Sequence, residues 1–255
     1  MLSILAFIYG ASIGSFVQVV ASRLHVAPIM KGRSKCLSCG EALRASDLIP
    51  VISYFLLKGK CRYCKSKYGV SAIVIEVLFG VTFLSLYICV LVGQPTLLMA
   101  LMWLVYYTLL FGVLGVMALY DKAHSYIPFS FLSAFLALCA VMFGRRMFND
   151  FSFITVLSPV FVATPFFLIW LISKGKGLGF GDVIIFFGVG AFFGSLQGFA
   201  VLMISVWMGA IYGLYFKYIV HKKNKGVTPI PFVPFIVLAF LLVLFTGIDV
   251  FSLNF

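Results

Sequence analysis

Apolar residues run through this chain in long blocks separated by short polar stretches. Blocks at about 1–22, 71–92, 97–120, 128–144, 152–173, 183–196, 199–220 and 229–248 are comparable with the roughly 20 apolar residues a helix needs to cross a bilayer. The pattern predicts an all-α polytopic membrane protein with about eight transmembrane helices. The sixth block is short and Gly-rich at both ends, so its helix is expected to begin inside the Gly179–Gly181 turn. One long polar interval, 23–70, interrupts the series after the first helix. The organisation read from this is a first transmembrane helix at 1–22, a small cytoplasmic loop at 23–70 and a seven-helix membrane domain at 71–255.

Composition agrees with the pattern. Of 255 residues, 63% are hydrophobic and 10% charged, against about a quarter charged in ordinary soluble chains. Charge then sets the orientation. No basic residue precedes the first apolar block, whereas Arg23, Lys31, Arg33 and Lys35 follow it, which predicts a retained helix with its N-terminus outside rather than a cleaved signal. Alternating the spans from there puts 23–70, 121–127, 174–182 and 221–228 in the cytoplasm, with every Lys and Arg except Arg145 and Arg146 once the helix-end Lys217 is included. The positive-inside rule is satisfied. The net charge of +12 is accounted for by this topology and by anionic lipid headgroups, so membrane lipid is the expected partner and nucleic acid is not.

The 23–70 segment is too small to bury a substantial core unaided. Cys36-Leu-Ser-Cys39 and Cys61-Arg-Tyr-Cys64, separated by 21 residues, have the spacing of a four-thiolate zinc ribbon. Two disulfides or a redox pair are the alternatives, and stable disulfides are rare in the reducing cytoplasm. Four cysteines leave no open coordination position, so the zinc is expected to be structural. Cys89 and Cys139 lie singly in apolar blocks and read as core residues.

Three acids stand in or at the edge of apolar blocks, where an ionisable group is costly unless used. Asp121 closes the third block, Asp182 opens the sixth after Gly177-Leu178-Gly179-Phe180-Gly181, and Glu76 lies more than a turn inside the second. The topology assigns all three to the cytoplasmic side. Two carboxylates brought together cannot both ionise easily, and a shared proton is the requirement of aspartic proteolysis. Each aspartate's own helix end predicts Asp182 as the ionised base and Asp121 as the proton-bearing acid. Gly179 and Gly181 allow a substrate strand to approach the backbone, or dihedrals closed to other residues. Gly10 and Gly14 predict a close helix contact. The three prolines of Pro229-Ile-Pro231-Phe-Val-Pro234 predict an irregular helix start that lines the same cavity as the acids. His221-Lys-Lys-Asn-Lys225 reads as a cytoplasmic anchor.

Nearly the whole chain resembles the type IV prepilin peptidases, bacterial inner-membrane aspartic proteases. The matching segments are Gly10-x3-Gly14-Ser15-Phe16 with Arg23-Leu24, the paired cysteines, Asp47-Leu-Ile-Pro50-Val-Ile-Ser-Tyr54, Glu76, Asp121 with Ile127-Pro128, Gly179-Phe-Gly181-Asp182 and Ile230-Pro231-Phe232. The resemblance implies that Asp121 and Asp182 activate water to remove the leader of type IV prepilins or pseudopilins at the cytoplasmic face, typically between Gly and Phe. It also implies methylation of the new N-terminus from S-adenosylmethionine, with Glu76 as the residue assigned to that step. Gln18 stands where the family usually has Asn, and Phe129 where an acid often follows Ile-Pro. Both departures bear on methyl transfer rather than on the aspartates. The competing readings are a presenilin-like protease, which leaves the cysteine loop unexplained, and a proton- or cation-coupled transporter using the three acids, for which no internal repeat is visible.

Overall fold

The computed structural model describes residues 2–26, 28, 32–36, 38–149, 151–175, 179–220 and 231–249. Gly177 and the expected anchor at 221–225 lie outside them. The described residues are almost entirely helical: α1 (Leu2–Arg23), α2 (Ile52–Leu56), α3 (Val70–Leu86, continued by a π turn to Leu91), α4 (Leu97–His124), α5 (Phe129–Asn149), α6 (Phe153–Ser173), α7 (Phe180–Phe193), α8 (Ser195–Tyr215) and α9 (Val233–Thr246). Among them they form no named strand, only the isolated bridges Lys35–Ala42 and Lys60–Lys67.

Six of these helices, counting α3 and α8 with their π continuations, are long and apolar enough to cross a membrane. The sixth and eighth expected spans are α7 and α9, each of 14 residues. At 1.5 Å per residue these are roughly 21 Å long, shorter than the hydrocarbon core of about 30 Å. The sequence explains why they stop. Gly194 (φ 84°, ψ −171°) and Gly247 (φ 67°) terminate α7 and α9 in backbone conformations open to glycine. Pro231 and Pro234 bracket the start of α9, as the three prolines predict, and α7 begins at Phe180 behind the Gly179 cap, as expected.

The chain divides into two compact units, Met1–Val116 and Met117–Phe255. In the first, α1 lies directly against α3. A Cβ on Gly10 would stand 2.5 Å from the Phe79 carbonyl oxygen, and one on Gly14 would stand 2.9 Å from Phe79 Cβ. The predicted glycine contact is therefore the α1–α3 crossing. Gln18 fixes its register by donating from Nε2 to the Ala72 carbonyl at 3.3 Å. The core behind it is aromatic: Phe83 meets Tyr9 and Phe111 edge-on at 5.3 and 5.8 Å.

In the second unit α7 is the most buried helix, packed by α5, α6 and α8. Small residues let the neighbours close in: Cβ atoms on Gly188 and Gly190 would stand 2.5 Å from the Phe135 ring and 2.7 Å from the Ser158 carbonyl. Ser158 lies beside Pro159 inside α6 and donates to the Gly190 carbonyl at 3.2 Å.

Candidate active site

Asp121 stands in the last turn of α4, and Asp182 is the third residue of α7. Both are buried, at 7% and 9% exposure, and they belong to the same compact unit. The structure brings the turn that follows Asp121 onto the residue that precedes Asp182. Gly181 explains how. Its missing side chain is filled by Ile127, since a Cβ there would be 2.8 Å from Ile127 Cδ1. The turn that leaves α4 through Ser125 (φ 53°) thus closes on the start of α7.

Neither glycine before Asp182 uses a conformation reserved for glycine. Gly179 has φ −72° and ψ 141°, ordinary extended backbone, and Gly181 is not among the positive-φ residues. The dihedral explanation therefore drops out, and space is what both supply. Gly179 lies under the carboxylate, with a Cβ position 3.5 Å from Asp182 Oδ2.

Asp121 has a partner from a third helix. Val233 is the first residue of α9, and its amide donates to Asp121 Oδ2 at 3.0 Å. First-turn amides have no acceptor within their own helix, and Pro231 and Pro234 carry no N–H, so Val233 offers one of the few donors there. The irregular Pro231–Pro234 start does border Asp121. It also brings the positive end of α9 to Asp121, which reasoning from each aspartate's own helix omitted. Pro-x-x-Pro before an apolar run was the available signal, but nothing in it named Asp121 as the acceptor.

Glu76 belongs to the first unit. Its Oε2 accepts a 2.8 Å hydrogen bond from the Val51 amide. Val51 is held at φ 63°, ψ −53°, a conformation strained for a β-branched residue, and the Ile52 amide closes on the Pro50 carbonyl at 2.6 Å. Glu76 thus clamps a tight turn of the cysteine segment onto α3. Glu76→Ala is expected to destabilise this unit by about 1–3 kcal/mol by orphaning the Val51 amide. Glu76→Gln keeps an acceptor, and Val51→Gly relieves the strain, so both should hold the melting temperature near or above the parent value in thermal unfolding.

The four cysteines form one cluster. All four sulfurs lie within 4.8 Å of one another, and all four are free thiols. The Cys36–Cys64 separation is 3.8 Å, which is about the edge of a tetrahedron with metal–sulfur bonds of about 2.3 Å and far beyond a disulfide. Two matching turns build the cluster. In one, the Cys36 amide donates to the Glu41 carbonyl, Gly40 to Cys36 and Leu43 to Ser34. In the other, Cys61 donates to Ser66, Lys65 to Cys61 and Tyr68 to Gly59. Gly40 (φ 73°) and Lys65 (φ 59°) hold equivalent left-handed positions.

The four thiols differ in how readily they ionise. The Cys39 and Ser38 amides lower the Cys36 thiol to about 6. The Glu41 amide favours the Cys39 thiolate, yet burial and the sulfurs of Cys36 and Cys64 push that thiol up to about 11. Four thiolates become compatible once a divalent ion balances them. Ser66 Oγ stands 3.1 Å from Cys64 Sγ and 3.7 Å from Cys36 Sγ, positioned to donate to ligating sulfur. Beside the cluster, the Arg62 guanidinium grips the buried Asp47 through Nη2 at 2.6 Å and Nε at 3.0 Å. That holds the Asp47 carboxyl below the usual carboxylate range, so its stabilising contribution is present at neutral pH and is lost as pH falls through the lowered value.

Comparison with known proteins finds two family models along the chain. Residues 8–90 match the bacterial peptidase A24 N-terminal domain, and residues 108–214 match the type IV leader peptidase family. A prepilin leader peptidase/N-methyltransferase of Pseudomonas putida is 26% identical, over 98% of this chain and 92% of the relative. The enzyme of the same description from Burkholderia pseudomallei (strain K96243) is 27% identical, over 95% and 84%. A type 4 prepilin-like proteins leader peptide-processing enzyme of Escherichia coli O78:H11 is 27% identical, over 91% and 89%. No solved structure matches the chain. The matches give no support to a transporter.

Proposed function

The chain belongs to the type IV leader peptidase family, and from that premise we propose that Asp121 and Asp182 are the catalytic pair of an aspartic endopeptidase that removes the leader of type IV prepilins or pseudopilins. The observation that supports this reading is that two buried aspartates, at the end of α4 and the start of α7, belong to one unit in which Ile127 packs over Gly181. One proton is shared between them, and the pair titrates as a unit rather than as two independent acids. A water held between them loses a proton to the ionised carboxylate as it attacks, while the protonated carboxyl polarises the scissile carbonyl. The Val233 amide keeps the Asp121 carboxyl oriented. The distribution of Lys and Arg supports a cytoplasmic location for the cut.

The relatives' names also include N-methyltransferase, and we extend the proposal to methylation of the new N-terminus with S-adenosylmethionine as donor. Glu76, the residue the resemblance assigns to that step, accepts the Val51 amide, and no step is assigned through the cofactor. The cysteine cluster fits a structural Zn2+, which would supply the core that residues 23–70 lack.

Mass analysis of a prepilin incubated with the purified protein and S-adenosylmethionine tests both activities, since it reports the cut position and any added methyl. An uncut prepilin in the presence of folded protein overturns the peptidase reading. The substrate-approach role of the glycines has its own test. Gly179→Ala meets only ordinary contact within the chain, so a fall of about tenfold or more in kcat/KM with unchanged melting temperature locates the substrate backbone there. Gly181→Ala must displace Ile127 and is expected to lower both activity and stability.

A further inference from the structure

The cysteine segment presents an apolar surface that its own fold leaves uncovered. Leu48, Ile49, Ile52, Phe55 and Leu56 are 43–75% exposed, although they are consecutive or nearly so and include most of the short helix α2. Exposed Lys58 and Lys60 follow directly, with exposed Lys65 and Lys67 farther on in the same segment. An exposed apolar patch beside polar or charged residues marks a docking surface, and the positive charge selects an anionic one.

Hydrogen bonds fix how deep this surface sits. Val51, between Ile49 and Ile52, donates to Glu76, six residues into α3. α3 with its continuation is a membrane-length helix, and Val70, Val74, Leu78 and Val81 expose an apolar stripe from its first residue. Glu76 Cα is therefore roughly 9 Å along the axis from Val70. Helical side chains lean toward the N-terminus, which places the carboxylate, and Val51 with it, beside the first turns of α3 rather than beyond its end. The Gln18–Ala72 hydrogen bond sets the same level independently, because α1 runs on only to Arg23. A segment held at that level, with Ile52, Phe55 and Leu56 outward, lies where amphipathic helices bury about 5–10 Å into the boundary between headgroups and acyl chains.

We propose that α2 and the Leu48–Ile49 step are an interfacial membrane anchor, which lays the cysteine module on the anionic lipid surface at the end where α1 leaves the bilayer and α3 enters it. The lysines contact headgroups, and Ile52, Phe55 and Leu56 enter the acyl boundary. This surface is independent of the peptidase reading.

The test uses the full chain in nanodiscs of phosphatidylglycerol and phosphatidylethanolamine, with p-benzoylphenylalanine in place of Phe55 or, in a second protein, Leu56. The exposed Glu41 of the first cysteine turn serves as the control position. After irradiation, mass spectrometry identifies what each residue has captured. Lipid adducts at 55 and 56 are expected at least about fivefold above those at 41, as a side chain in the acyl boundary requires. Adducts within the chain's own peptides or with an added prepilin, or a lipid yield no higher than at 41, would overturn the proposal.

Discussion

Asp121→Asn and Asp182→Asn should each lower prepilin cleavage at least about 10³-fold, with the double variant little worse than either, because groups that act as one unit are not additive. The magnitude follows from the role. One carboxyl must accept a proton from water while the other donates to the substrate, and an amide does neither at neutral pH. Stability should move the other way or not at all. Both carboxyls are buried, so replacing one with a neutral isostere relieves a desolvation cost rather than removing a support. In Asp121→Asn the side-chain carbonyl can still accept the Val233 amide, which keeps α9 docked. Retained melting temperature with lost cleavage is the expected signature, read by prepilin processing alongside thermal unfolding. Near-normal cleavage by either variant would remove the aspartate pair as the mechanism.

The second large effect is on the metal. The parent protein should carry about one zinc per chain, and Cys61→Ser or Cys36→Ser should abolish stoichiometric binding. Apparent binding energies of structural zinc sites are on the order of 10–16 kcal/mol, and the module's folding is drawn from that energy. Cys61 and Cys36 are the inner pair, at 0% and 4% exposure, whereas Cys39 and Cys64 face outward. Metal analysis should show the loss, and limited proteolysis should open new cuts between residues 32 and 69 that the parent resists until a chelator is added. Full zinc content in Cys61→Ser would contradict a four-thiolate site.

Much of this was legible in residue order. Apolar run length announced the six membrane-length helices, because the bilayer sets the length a crossing helix needs, whereas the runs at α7 and α9 form helices of only 14 residues. The Cys-x-x-Cys spacing announced the cluster, because each turn is a local structure that places two sulfurs without help from elsewhere. Gly10 and Gly14 announced a close helix contact, and Asp121 and Asp182 stood out because acids are rare at such places.

Other features depended on partners remote in sequence. Chain order predicts neither that Phe79 fills the Gly10–Gly14 groove nor that Ile127 fills the space over Gly181. Glu76 drew notice as a costly acid, but its partner is an amide 25 positions away, in a turn whose strain is visible only in three dimensions. The same holds for Asp121. Its helix end argued for one charge state, and the α9 amide 112 positions on places a second helix end against it. What the sequence determined by itself was the membrane class, the spacing of the cysteine turns and which acids stand in or beside apolar runs, all set by local composition and spacing. Tertiary structure decided which groups meet, that the α9 helix start faces Asp121 and where along α3 the cysteine segment is held, because those depend on packing between helices that the residue pattern of either helix leaves open.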